Sequence, residues 1–305
     1  MTRVAAVDCG TNSLRLLVTD IGDDGSQRDL DRRMRIVRLG QGVDRTGRLA
    51  DDALRRTTAA LVEYASVIDE LGAERVRMVA TSATRDASNA AEFIGSVHDI
   101  LGVTPEVVTG DEEAGLSFTG ATCDLDGSLP SPYLVVDIGG GSTEFVFGST
   151  EPEAARSVDI GAVRITERHF AADPPTGEQI RAARVDIDAG VAGAADDVPL
   201  KQAHTLIGLA GSVTTVGAIH LGLDEYDREK VHHARIPADA VAAISDRLLA
   251  SSHQERSAIS VIHPGRVDVI AAGALILRRV MDRTGAGEVI LSERDILDGI
   301  ARSLV

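Results

Sequence analysis

Two short segments carry the residue types that hold an anion, and they are versions of one another. Residues 7–18 read VDCGTNSLRLLV and residues 136–147 read VDIGGGSTEFVF, so Asp8, Gly10 and Ser13 recur as Asp137, Gly139 and Ser142 at a constant offset of 129. Small residues after a buried strand let backbone N–H groups approach an anion closely, and a Ser or Thr adds a hydroxyl donor. Neither segment is a Walker loop, because DIGGGSTE lacks the Gly-Lys-Ser/Thr ending. The dinucleotide fingerprint fails too, since Gly139, Gly140 and Gly141 are consecutive and lead into an extended run, which makes hydride transfer a poor fit. A third loop, Gly208-Leu209-Ala210-Gly211-Ser212-Val213-Thr214-Thr215, again combines small residues with hydroxyls.

Asp8, Asp137 and Glu144 supply the hard oxygen ligands that Mg²⁺ uses together with waters and substrate phosphates. Glu112 and Glu113 follow Thr109-Gly110-Asp111 at a helix start, where acidic residues are favoured by the helix dipole. If the loops hold phosphate, one of the two can instead orient and deprotonate a water arriving in line with the leaving oxygen. Arg85, after Ala80-Thr81-Ser82-Ala83-Thr84, suits a bidentate phosphate contact or an ordinary salt bridge. The histidines are dispersed; even His232 and His233 are expected on opposite faces of an extended segment, so no zinc constellation is read.

The elements that must position these groups follow from hydropathy and turn chemistry. Each Gly-rich segment reads as strand, tight turn, strand. RRMRIVRLG (32–40) reads as a third strand, and Leu54, Leu61, Ile68 and Leu71, beside Ala53, Ala60 and Ala65, form one stripe of a helix over 50–71. VRMVA (76–80) is a strand entering a loop and then a helix capped by Ser88 or Asn89, and VTPEVVT (103–109) is another before a helix near 111–121. The polar segment DLDGSLPSP (124–132) marks the boundary between domains 1–126 and 127–305. In the second domain HTLIGLAGSVTTVGAIHLG reads as helical, a helix follows near 239–250, and RVDVIAAGALILRRVMD (266–282) has the periodicity of a buried one. SERDILDGIARSLV (292–305) opens with a capping-box pattern from Ser292 to Asp295, its helix packing back on the first domain. A repeat this long means two related domains and no solenoid.

With 47 acidic residues against 31 Lys and Arg, the net charge of −16 excludes a general nucleic-acid backbone binder but leaves room for a local basic pocket that takes a small polyanion. Two cysteines outside metal-type spacing, an N-terminus without a long apolar core and no run of 18 apolar residues point to the reducing cytoplasm and away from secretion or a membrane.

Taken in order, DCGTNSLRL (8–16), ATSATRDASN (80–89), TGDEEAGL (109–116), DIGGGSTE (137–144), GLAGSVTT (208–215) and GRVDVIAAGALIL (265–277) resemble the exopolyphosphatase/guanosine pentaphosphate phosphohydrolase (Ppx/GppA) family over nearly the whole chain. The resemblance implies a duplicated α/β fold of the actin-like, Hsp70-like, sugar-kinase-like ATPase (ribonuclease H-like) type, two domains with an interdomain cleft. It also implies a hydrolase that removes terminal phosphate from inorganic polyphosphate, or the 5′ γ-phosphate from guanosine pentaphosphate. Matching its Glu-Glu-Ala motif selects Glu113 as the base. The phosphate loops map to Gly10, Thr11, Asn12, Ser13 and Arg15 and to Gly139, Gly140, Gly141, Ser142 and Thr143, with Arg85 on the phosphate chain. Gly208, Gly211 and Ser212 line the cleft, and Mg²⁺ is associated with Asp8, Asp137 and Glu144. Family relatives commonly form homodimers and the longer ones carry a further C-terminal helical domain; the shorter length here predicts short or intermediate polyphosphate as substrate. The competing expectations are a guanosine pentaphosphate hydrolase, a sugar or acetate-type kinase on the same fold, and a non-catalytic polyphosphate or nucleotide sensor.

Overall fold

Each apolar run ahead of a small-residue loop becomes a buried strand, and the run after it folds back antiparallel. In the computed structural model, which describes residues 1–125 and 127–305, β1 (Thr2–Cys9) pairs with β2 (Ser13–Ile21) and β2 with β3 (Gln27–Ile36), both antiparallel. On the other side of β1, β4 (Arg75–Ala80) and then β5 (Glu106–Val107) add in parallel. The second half contributes β6 (Tyr133–Ile138), β7 (Thr143–Gly148), β8 (Pro152–Val158), β9 (Thr205–Leu209), β10 (Arg235–Pro237) and β11 (Glu288–Leu291). Among the described residues the two sheets run β3-β2-β1-β4-β5 and β8-β7-β6-β9-β11-β10. The first five strands of the second sheet repeat the order and the sequence of antiparallel and parallel pairings of the first. This is the duplicated actin-like α/β arrangement.

The chain divides into Met1–Gly120 with Ile296–Val305, and Ala121–Asp295. The boundary expected after residue 126 falls on a residue outside the described ones. In the first unit β1 is buried on both faces, which is why it reads as a nearly continuous apolar run. Ala5, Val7 and Cys9 face the helices Asp51–Leu71 and Ala90–Leu101 through Leu61, Tyr64, Ile68, Phe93 and Val97. Val4 and Ala6 face the helix Ile296–Arg302, whose Ile296, Leu297, Ile300 and Ala301 close that side together with Leu17, Ile21 and Val79. The core of the second unit gathers around the helix Ile270–Thr284, with Ala183, Ile187, Val191 and Ala194 of the helix Gly177–Asp197 packed into the same cluster.

Several local expectations are corrected. The third strand starts at Gln27 and ends at Ile36, so residues 37–40 form a turn. HTLIGLAGS is strand through Leu209 and helix only from Ala210, whose positive φ of 67° makes the break that composition alone hides. The capping box at 292 does not form: the Ser292 hydroxyl turns to the backbone of Arg294, and the helix begins at Ile296. Neither Ser88 nor Asn89 caps the next helix. The Asn89 amide pairs with both backbone groups of Leu49 and the Ser88 hydroxyl donates to the Gly47 carbonyl, so both side chains tie loops together.

Among the described residues no helix is long and apolar enough to cross a membrane. Cys9 and Cys123 are both reduced, and burial pushes the Cys9 thiol up, which makes it an inert core residue. Gly193 sits inside a long helix with open space where a Cβ would go. Gly193→Ala is therefore expected to stabilise the protein by about 0.5–1 kcal/mol, through helix propensity and a less flexible unfolded chain, read as a higher thermal midpoint.

Candidate active site in two loops

The first loop closes on itself by a hydrogen bond from the Gly10 N–H to the Ser13 carbonyl at 3.0 Å. Its carbonyls are tied from behind: the N–H groups of Val37 and Arg38 both donate to the Asn12 carbonyl (3.0 and 2.9 Å), and that of Gly40 donates to the Thr11 carbonyl at 2.8 Å. With those oxygens engaged at the back, the loop N–H groups are the polar edge left for an anion. Gly40 is required by contact, because a Cβ there would strike Thr11 Cγ2 and Ala83. Because β4 lies parallel beside β1, the ATSATR segment leaves the sheet at the same strand ends as the loop, the usual ligand side of an α/β sheet. Thr11 Oγ1 lies 2.9 Å from Ser82 Oγ, joining the two.

The helix Gly110–Thr122 separates the two glutamates. Its start is held by the Thr109 hydroxyl, which accepts the Glu112 N–H at 3.2 Å. Glu112 points outward to Arg77 (3.1 Å), whereas Glu113 is 8% exposed and its Oε2 lies 3.3 Å from Arg85 Nη1. Arg85 is steadied by donating to the Val108 carbonyl at 2.7 Å. The structure therefore brings together the carboxylate and the guanidinium expected to act on phosphate. Asp8, 2% exposed, sits opposite Arg15 in the β1–β2 register, and its Oδ2 takes both Arg15 Nε (2.9 Å) and Nη2 (2.7 Å).

The second unit repeats the device. Gly139 N–H donates to the Ser142 carbonyl at 3.0 Å, and Ala162, Val163 and Arg164 donate to the Gly139 and Gly140 carbonyls at 2.8–3.1 Å. Arg164 Nε also holds the Gly141 carbonyl at 2.8 Å. A Cβ on Gly161 would land on the backbone of Gly140 and Gly141. Asp137 sits opposite Glu144 in the β6–β7 register, so the place of the first unit's Arg15 is taken by a second carboxylate. Both are buried (8% and 1% exposed), and Glu144 Oε1 accepts the Ser157 hydroxyl at 2.7 Å. Two carboxylates directly opposite one another repel, and a divalent cation relieves this. These donors fit Mg²⁺; Asp8, already neutralised by Arg15, fits less well. Thr143 is fully buried and its hydroxyl donates to the Ile160 carbonyl at 2.6 Å, so it braces the loop from behind.

The third loop joins β9 to the helix Ala210–His220, with Ser212 8% exposed and the Thr215 hydroxyl on the Gly211 carbonyl. Gly208 lies against Val213 and Val289, and the guanidinium of Arg266 rests where a Gly211 side chain would be. Arg266 lies within GRVDVI, where nothing in the local sequence marks it as a partner of the third loop. Composition marks neither bracing segment, although Val37-Arg38-Leu39-Gly40 and Val158-Asp159-Ile160-Gly161, which leads into the donors Ala162, Val163 and Arg164, share a Val-x-x-Gly spacing at a different offset from that of the loops.

His232 and His233 do not point to opposite faces. His233 has a φ of 61°, and the rings lie with centroids 3.8 Å apart beside Asp124. His232 Nε2 is 3.0 Å from Asp124 Oδ2, which also takes Arg294 Nε at 2.5 Å. Burial pushes the Asp124 carboxyl up, but the His232 hydrogen bond and the Arg294 charge outweigh it and hold it at about 2. His232 Nδ1 accepts the Glu293 N–H at 3.1 Å, which leaves the imidazole proton on Nε2 facing Asp124, and that is the wrong tautomer for a metal there. The cluster is an ion-pair clasp within the second unit. A cavity of about 380 Å³ bordered by Lys201, His204 and Arg235 opens at the start of β9, away from the loops that follow β6 and β9.

Comparison with known proteins agrees with this geometry. The model of the Ppx/GppA phosphatase family matches residues 17–305. Exopolyphosphatase 2 of Mycobacterium tuberculosis is 46% identical over 316 aligned residues, covering 100% of this chain and 99% of that protein. The crystal structure of an exopolyphosphatase-like protein superposes with a TM-score of 0.96 at 43% identity, covering 100% of both chains. The Aquifex aeolicus PPX-GPPA enzyme follows with a TM-score of 0.83 at 33% identity and 99% of each chain.

Proposed function

Because the chain belongs to the Ppx/GppA phosphatase family, we propose that it is an exopolyphosphatase that hydrolyses the terminal phosphoanhydride of inorganic polyphosphate. The observation that carries the reading is the Glu113–Arg85 pair, a nearly buried carboxylate with a guanidinium on it in the unit that holds the first loop. Glu113 orients a water and takes its proton as the oxygen attacks the terminal phosphorus in line with the bridging oxygen. The bridging P–O bond breaks, releasing orthophosphate and a chain one unit shorter. Arg85 and the N–H groups of residues 11–13 stabilise charge on the phosphoryl oxygens, and the second unit offers the same kind of donors at residues 140–142.

Asp137 and Glu144 are the residues we assign to Mg²⁺, which when bound neutralises phosphate charge. Arg15 holds the Asp8 carboxylate in place through its Nε and Nη2. Two unbridged cysteines support a cytoplasmic setting, and we assign short or intermediate chains as the substrate.

A second reading, removal of the 5′ γ-phosphate from guanosine pentaphosphate, is favoured by one residue. Tyr226 is 39% exposed and neighbours Thr214 and Arg266 at the third loop, where its ring offers a stacking face for a base. The experiment compares Mg²⁺-dependent phosphate release from defined short and long polyphosphates, guanosine pentaphosphate and ATP. Preferential release from short polyphosphate, unchanged in Tyr226→Ala, is expected. Preference for guanosine pentaphosphate that Tyr226→Ala abolishes would establish the second reading, and binding without release would make the protein a sensor.

A further inference from the structure

Three neighbouring strands line up a row of side chains beside the second loop. Asp137 stands opposite Glu144 across β6–β7, and Glu144 stands opposite Ser157 across β7–β8, so all three share one face of the sheet. The repeat supplies a matching row in the first unit, where Asp8 stands opposite Arg15 across β1–β2 and Arg15 opposite Met34 across β2–β3. There the central guanidinium bonds the carboxylate of the first strand directly, and the third position is a thioether. In the second unit the central residue is itself a carboxylate, and the third position is a hydrogen-bond donor to it. The second and third positions of the row thus differ together.

The Ser157 hydroxyl donates to Glu144 Oε1 at 2.7 Å, a charge-assisted bond to a residue that is 1% exposed. A carboxylate held at one oxygen does not rotate freely about its Cγ–Cδ bond, so its other oxygen is presented in one place. Mg²⁺ requires this, because it tolerates little deviation in the positions of its ligands, and carboxylates that bind metals are themselves held by hydrogen bonds. The end of β8 is in turn tied to the loop it serves, since the Thr143 hydroxyl donates to the Ile160 carbonyl. We infer that Ser157 is a positioning residue for the metal, acting through Glu144 and touching neither ion nor substrate. This role rests on the phosphohydrolase reading and on the assignment of Asp137 and Glu144 to Mg²⁺.

The test compares Ser157→Thr with Ser157→Val in the full chain, two β-branched side chains of the same shape that differ by the hydroxyl. Mn²⁺ serves as the probe. Its affinity is read without substrate, by calorimetry and by the electron paramagnetic resonance signal of the free ion, beside thermal midpoints with and without Mn²⁺ and the Mg²⁺ dependence of phosphate release. Ser157→Val is expected to weaken Mn²⁺ binding by roughly 10- to 100-fold, the range for losing the partner of a metal ligand. The Mg²⁺ needed for half-maximal phosphate release should rise by a similar factor, with high Mg²⁺ recovering most of the lost rate. Ser157→Thr keeps the donor and should bind Mn²⁺ nearly as the unsubstituted protein does. A purely structural role would lower both midpoints equally, whereas here the rise in midpoint that Mn²⁺ causes should shrink in Ser157→Val alone. Equal Mn²⁺ affinity in the two variants, or no Mn²⁺ binding by the unsubstituted protein, would overturn the role of Ser157. Mn²⁺ binding without phosphate release from any substrate would remove the phosphohydrolase reading, while the comparison of the two variants would still decide what Ser157 does.

Discussion

Glutamine at position 113 is expected to lower kcat for phosphate release by roughly 10²- to 10⁴-fold, the range of a lost general base, with KM nearly unchanged. The substitution preserves volume in a site that is 8% exposed, and the amide oxygen can still accept from Arg85, so the fold and the guanidinium position survive. What disappears is the capacity to take a proton. Glu112→Gln is the matched control: its carboxylate meets Arg77 at the surface, and exposed pairs contribute about 0–1 kcal/mol, so activity should stay close to wild type. The measurement is steady-state phosphate release by both variants, with thermal melts to show that each is folded. A folded Glu113→Gln protein turning over at the wild-type rate would remove the base from the mechanism.

Gly161→Ala, the smallest side-chain addition available, is expected to be the most damaging change to the second loop. The new methyl would fall on the carbonyl of Gly140 and the nitrogen of Gly141, and backbone cannot swing aside as the tip of a side chain can. Overpacking of this kind costs about 3 kcal/mol, which lowers the thermal midpoint by roughly 6–12 °C for a folding unit the size of Ala121–Asp295. Activity should fall further than stability, because the displaced segment is the one whose N–H groups are to hold phosphate. Gly193→Ala, the same chemical change with space around it, should move the midpoint the other way. A Gly161→Ala protein with both an unaltered midpoint and unaltered phosphate release would mean that the bracing of this loop is looser than the contacts indicate.

Legibility in the sequence tracked how local the cause was. The offset of 129 between Asp8 and Asp137 gave both strand-turn-strand loops, since a loop of that kind is specified by its own residues. The choice of Glu113 over Glu112 came from resemblance; the physical reason, one facing Arg85 and the other Arg77, depends on which side of the helix the sheet lies. Asn89 and Ser292 have good capping chemistry and yet serve other backbone: a tertiary partner, Leu49, takes the Asn89 side chain, and a local turn with Arg294 takes that of Ser292. His232 and His233 were misread because a period-two argument presumes extended backbone, which the positive φ of His233 breaks. Residues 37–40 were absorbed into a strand for the same kind of reason: alternation of Arg and apolar residues continues past Ile36, while the hydrogen bonds turn toward the loop.

The helix Ile296–Arg302 imposes an order on synthesis. Its partners Val4, Ala6, Leu17, Ile21 and Val79 leave the ribosome early, but the helix that covers them is made after all of residues 121–295. The second unit is continuous in sequence and can condense as soon as it is out, whereas the first must wait with one sheet face bare. The part begun first is thus the last finished, and chaperone binding to nascent chains should concentrate on that waiting face.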